Sequence, residues 1–159
     1  MEQNTHYSAL IFDLHQNETN SLDNLKTDIR LFAQDPDCSQ IVVSCLSDLQ
    51  LTLALSPQPK TTLVKMAKHP YVSLVNGLKA VTEENVLIVG LSKPVRIEQK
   101  SAILHALEEY PAVECHQDLQ AYDTRLLMFC LQHSIEQNIA IESYAQAVSA
   151  LGDTPILKL

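Results

Sequence analysis

The stretch SLVNGLKAVTEENVLIVGLSKP, Ser73 to Pro94, decides the fold. Val72, Val75, Leu78 and Val81 recur every three residues and predict a helix. An acidic turn follows at Glu83-Glu84-Asn85, and then the apolar run Val86 to Gly90. A run this short and this apolar reads as a strand covered on both faces, as in parallel sheets. It ends in a loop, Gly90 to Pro94, that carries Lys93. Together these residues are the back half of a βαβ unit. Ligands of open parallel sheets sit outside the carboxyl ends of the strands, which makes this loop the place to look for chemistry.

The same alternation runs outward in both directions. Towards the N-terminus, Tyr7–Leu14 reads as the first strand, and Leu22, Leu25, Ile29, Phe32 and Ala33 form one helical stripe that Asp35-Pro36-Asp37 stops. Gln40–Leu46 is a β-branched second strand, residues 47–55 a short apolar helix, and Thr61–Met66 a third strand. Pro70 suits the first turn of the central helix. Towards the C-terminus come a helix at Arg96–Glu109, with Ile97, Leu104 and Leu107 inward, and a strand at Ala112–His116. A helix follows at Thr124–Gln137, with Leu127, Cys130, Leu131, Ser134 and Ile135 on one face. Another spans Glu142–Leu151, and Pro155–Leu159 reads as a final strand. Strands alternating with helices across short connections predict α/β architecture, a three-layer α/β/α sandwich on a mainly parallel sheet. No linker or repeat interrupts residues 1–159, so a single domain is expected.

Composition narrows the function classes. With 46% apolar and 19% charged residues the chain has the balance of a globular protein. No apolar run approaches the roughly 20 residues that span a bilayer, so no membrane partner is expected. The polar start MEQNTHYSA predicts no signal peptide and hence a cytoplasmic protein. Four scattered cysteines without a CxxC pair, two of them on apolar faces (Cys45, Cys130), read as small hydrophobes. The six histidines show no i, i+4 pair, and Cys115-His116 point to opposite faces of a strand, so no metal site is expected. A net charge of −8 argues against nucleic acid. Residues 60–100 nevertheless hold seven basic and three acidic side chains, against two and eight in each flank. These lysines are either ordinary solvated side chains or the remnant of an anion pocket.

Four motifs in order resemble the 2-C-methyl-D-erythritol 4-phosphate cytidylyltransferases. Ser73-Leu74-Val75-Asn76-Gly77-Leu78 is similar to that family's S-V-x-N-G-L helix, and Val86–Pro94 to its V-L-V-H-D-A-A-R-P strand and loop. Leu119-Gln120-Ala121-Tyr122 resembles P-Q-A-F, and Ala150-Leu151-Gly152 the closing A-L-G. The resemblance implies a Rossmann-like nucleotidyltransferase fold and an origin in isoprenoid precursor synthesis.

The departures imply that cytidylyl transfer is lost. The family closes backbone N–H groups of a glycine-rich, basic loop on a triphosphate. Here that place is Asp13-Leu14-His15-Gln16-Asn17-Glu18, with no glycine, no lysine or arginine, and two carboxylates. The chain has 3 glycines, where about 11 are ordinary for this length. Gly90 aligns with the family's metal-side aspartate, Lys93 with its arginine, and Glu142-Ser143-Tyr144-Ala145 with T-D-D-A. The sequence also ends before the family's last metal-side aspartate, and between Cys115 and Gln120 there is no room for the subunit-pairing arm. Phosphoryl transfer relies on positioning and on cations that neutralise developing charge, and these changes touch both.

The leading expectation is therefore a degenerate member with a binding or regulatory role, no confident catalytic residue and no expected cofactor. The alternative is a shortened, working nucleotide or sugar-phosphate binder, with Mg and CTP as its cofactors. In it Lys93, Ser73, Lys65 and Lys68 gather an anion, and Asp13 and His15 serve as metal or proton groups. A second alternative is an unrelated α/β interaction module. A homodimer, a small anionic ligand or a protein partner are all open expectations.

Overall fold

The computed structural model describes residues 6–12, 21–44, 60–64, 67, 69–90, 95–116, 119–140, 144–151 and 156–159. The strands are β1 (Tyr7–Phe12), β2 (Cys38–Ser44), β3 (Thr61–Leu63), β4 (Asn85–Val89), β5 (Ala112–His116), β6 (Leu119–Asp123) and β7 (Leu157–Lys158). The helices are α1 (Ser21–Ala33), α2 (Pro70–Ala80), α3 (Ile97–Leu107), α4 (Thr124–Glu136) and α5 (Tyr144–Leu151). The expected helix at residues 47–55 lies outside the described residues.

All seven strands form one sheet in the order β3-β2-β1-β4-β6-β5-β7. β1 pairs in parallel with β2 and β4, and β2 with β3. β6 runs antiparallel between β4 and β5, which restores the common direction in β5 and β7. Sequence reading did not foresee β6. It is buried over its first four residues, carries Gln120 in that run and has no β-branched residue, so neither alternation nor propensity marks it. β4, the strand of the Ser73–Pro94 unit, occupies the centre of the sheet.

The period-2 alternation of β1 explains the two cores. Tyr7, Ala9 and Ile11 face α1 and α3, where Leu25, Ile29, Phe32, Ile103 and Leu107 meet them. Leu10 and Phe12 face α2, α4 and α5, against Leu74, Leu78, Leu127, Leu131 and Val148. Each fully buried side chain of this kind contributes about 1.5–3 kcal/mol. The central helix buries Tyr71, Leu74, Val75 and Leu78, a stripe stepping by three and four, whereas Val72 and Val81 are half-buried. Each residue step turns a helix by about 100°, so a strict three-residue step drifts off the buried line. On α3 the same drift leaves Ile97 61% exposed while Ile103 and Leu107 are buried. Cys130 lies wholly inside the α4 core, as expected of a small hydrophobe, and none of Cys38, Cys115 and Cys130 forms a disulfide.

Gly77 lets α2 lie close to the sheet. A Cβ built there would stand 2.8 Å from Leu10 Cδ1 and 3.6 Å from Ser44 Cβ. At the edge where the parallel strands begin, Gln40 of β2 clasps the turn into β4. Its Nε2 donates to the Ala80 carbonyl at 2.8 Å, and its Oε1 accepts from the Thr82 N–H at 3.1 Å and the Ser8 hydroxyl at 3.2 Å.

Candidate functional site

The carboxyl ends of β1, β2 and β4, marked by Phe12, Ser44 and Val89, are approached by the N-terminus of α2 and by the residues that follow α4. His69 caps α2: its Nδ1 accepts the Tyr71 N–H at 3.2 Å, with Pro70 opening the first turn. An imidazole in this role carries its proton on Nε2. The Tyr71 hydroxyl is held above its ordinary pKa by burial. Across from this turn α4 ends in a left-handed cap. Asn138 has φ 57°, its N–H donates to Ile135 O at 3.2 Å, and the Ile139 N–H reaches Ser134 O at 2.9 Å. That is the Schellman pattern, with asparagine where glycine is commoner. Between the two turns lies a cleft of about 430 Å³ walled by His69, Tyr71, Val72, Ile135 and Asn138.

Of the six candidate ligand residues, Ser73 is described, and it is buried. Its Oγ accepts the Ala67 N–H at 2.7 Å, with its own proton between Ala67 O at 3.1 Å and His69 O at 3.4 Å. Its carbonyl accepts from the Ser44 hydroxyl at 3.3 Å. Ser73 thus ties the end of β2 and the approach to α2 together, and its hydroxyl is committed to backbone. Lys93, Lys65, Lys68, Asp13 and His15 lie outside the described residues.

Two of the seven basic residues of the middle segment sit at the opposite end of the sheet. Lys60, left-handed at φ 60°, donates its Nζ to Asp35 O at 3.1 Å and Cys38 O at 2.9 Å. Lys100 closes on the Asp35 carboxylate, which also accepts the Tyr7 hydroxyl at 2.8 Å and the Asp37 N–H at 2.9 Å. Burial opposes charge on Asp35, but the Lys100 ammonium, the Asp37 amide and the Tyr7 hydroxyl outweigh it and hold the carboxyl below its usual value. Burial, with Cys38 and Asp35 beside it, drives the Tyr7 hydroxyl far above the ordinary tyrosine range. Tyr7, Asp35, Asp37 and Lys100 line a second cleft of about 280 Å³ with Asn85 and His105. Lys60 and Lys100 are therefore structural ties, each engaged with the Asp35–Cys38 turn.

Sequence reading passed over Asp28, which is wholly buried on α1. Its Oδ1 accepts the Val95 N–H at 3.0 Å, and burial pushes its carboxyl up to about 6 despite that bond. The signal was a carboxylate between Leu25 and Ile29 within an apolar stripe.

Solved structures share this arrangement of strands and helices. A 4-diphosphocytidyl-2C-methyl-D-erythritol synthase of Anaerococcus prevotii matches with TM-score 0.79 at 15% identity, over 98% of this chain and 87% of its own. The 2-C-methyl-D-erythritol 4-phosphate cytidylyltransferase of Francisella tularensis matches with TM-score 0.70 at 14% identity, over 96% and 90%. The fold is that of the cytidylyltransferases. It extends further, to a Pyrobaculum calidifontis mannosyltransferase in complex with GDP-Man and Mn2+, at TM-score 0.68 and 14% identity over 97% of this chain and 54% of that one. No protein-family model matches the sequence, and no curated protein sequence does.

Gly90, directly after β4, offers no side chain, and among the described residues no three His, Cys, Asp or Glu gather as a donor set. No described helix is long and apolar enough to cross a membrane.

Proposed function

We propose that this chain is a cytidylyltransferase-like protein that has given up cytidylyl transfer and keeps a binding or regulatory role related to isoprenoid precursor synthesis. The end of β4 carries the reading. There, at the centre of the sheet, follows Gly90, which the motif resemblance aligns with the family's metal-side aspartate. Without that carboxylate the charge developing on a transferred phosphoryl group has no counter-ion held in place. The commitment of the Ser73 hydroxyl to Ala67 and the glycine-free Asp13–Glu18 connection support the same reading. The central place of β4 and the likeness of fold argue against an unrelated interaction module. Cytoplasmic residence and a homodimer belong to this reading too, and sedimentation measures the latter.

Calorimetry with CTP and magnesium, paired with a pyrophosphate-release assay on 2-C-methyl-D-erythritol 4-phosphate, tests it. Neither micromolar binding nor turnover is expected. Turnover overturns the proposal. Micromolar binding without turnover favours the working-binder reading, which then requires that Lys93→Ala weaken binding.

A further inference from the structure

Asp28 is the one buried carboxylate among the described residues, and it is only half satisfied. Oδ1 holds the Val95 N–H, 67 residues along the chain, while Oδ2 has no hydrogen-bond partner among the described residues. The bond joins α1 to the segment that enters α3, and Val95 packs on the same core. A buried carboxylate with an orphan oxygen is costly, and its neutral form is far less so.

Among the described residues no charge faces it to offset that cost. Lys26 and Arg30 on α1, and Arg96 and Glu98 beyond Val95, are exposed. Lys100 on α3 is held by Asp35. β1, β2 and β4 carry no charged side chain, and their titratable groups are occupied, Tyr7 with Asp35 and the Cys38 thiol with Gln40 O.

We propose that Asp28 is a pH-responsive latch: its neutral carboxyl holds the segment entering α3 against α1, and release of the Oδ2 proton to water loosens that hold. An ionised Asp28 gains hydration when the Val95–Arg96 segment lifts and water reaches Oδ2. A neutral one gains little, so opening becomes easier as pH rises. Burial, partly offset by the Val95 hydrogen bond, pushes the carboxyl up to about 6, which places the change between mildly acid and neutral solution.

Hydrogen exchange of the Val95 amide in the full chain, corrected for intrinsic exchange, tests this. Protection is expected to fall by about tenfold from pH 5 to pH 7, and in Asp28→Asn to be flat across that range. A flat profile in the wild type, or an equal slope in the variant, overturns the proposal. If the variant does not fold, the wild-type carboxyl decides by 13C chemical shift. A midpoint well above that of an ordinary aspartate, about 3.9, sustains the latch, and an ordinary midpoint overturns it.

Discussion

The Lys100 ammonium on α3 reaches the Asp35 carboxylate in the turn between α1 and β2, 65 residues away, and both side chains are nearly nine-tenths covered. Removing the cation leaves a mostly buried carboxylate with neutral donors only. Lys100→Met is expected to cost about 2–3 kcal/mol by urea unfolding at neutral pH. Because Asp35 titrates below its unfolded value, its contribution is full above about pH 4 and is lost as pH falls further. The gap between wild type and Lys100→Met should therefore narrow on acidification. A gap that stays constant down to pH 2 contradicts this account.

Asp28 has the opposite sign. Its folded carboxyl is pushed up to about 6, so it lowers stability above that pH and not below the unfolded value. Over the whole window the penalty is about 3 kcal/mol. Asp28→Asn removes the charge and keeps an acceptor for Val95, but buries amide donors that cost about 1–2 kcal/mol. A net gain of about 1 kcal/mol at pH 7, vanishing or reversing at pH 4, is expected in denaturant melts at the two pH values.

Asn138 holds the left-handed position that closes α4. Asn138→Gly should match or slightly exceed the wild type in thermal stability. Asn138→Val forces a branched side chain into that conformation and should cost about 1–2 kcal/mol. Equal stability of the two variants would sink the capping account.

Gly77 is a question of space. In Gly77→Ala the helix gains about 1 kcal/mol of propensity and meets the buried Leu10 side chain, whose Cδ1 stands at 2.8 Å. The two effects should leave stability within about 1 kcal/mol of wild type. Gly77→Val adds bulk without the propensity and is expected to lose at least about 2 kcal/mol. Chemical denaturation of both variants distinguishes a packing constraint from mere helix weakening.

The sequence made legible whatever rests on unbroken periodicity. Leu25, Ile29 and Phe32 mark α1, and the apolar run of β4 announces a strand covered on both faces, which the centre of the sheet supplies. β6 escaped notice because LQAYD is short and its burial comes from tertiary position, between β4 and β5. The tie of Asp35 to Lys100, Lys60 and Tyr7 was illegible for another reason. Charges far apart in sequence carry no pattern that announces their pairing, so a middle segment rich in lysine read as a possible anion pocket while two of its cations were stitching the far end of the sheet. Ser73 stood out through its motif, yet only coordinates reveal that its hydroxyl is engaged with Ala67.

The strands β5 and β6 are separated by residues 117 and 118 alone, and His116 already pairs with Leu119. A hairpin that tight has no chain to lend to a neighbour. Two copies of this molecule therefore cannot interlock by exchanging β5 or β6 through that connection, and a contact at this place has to press preformed surfaces together.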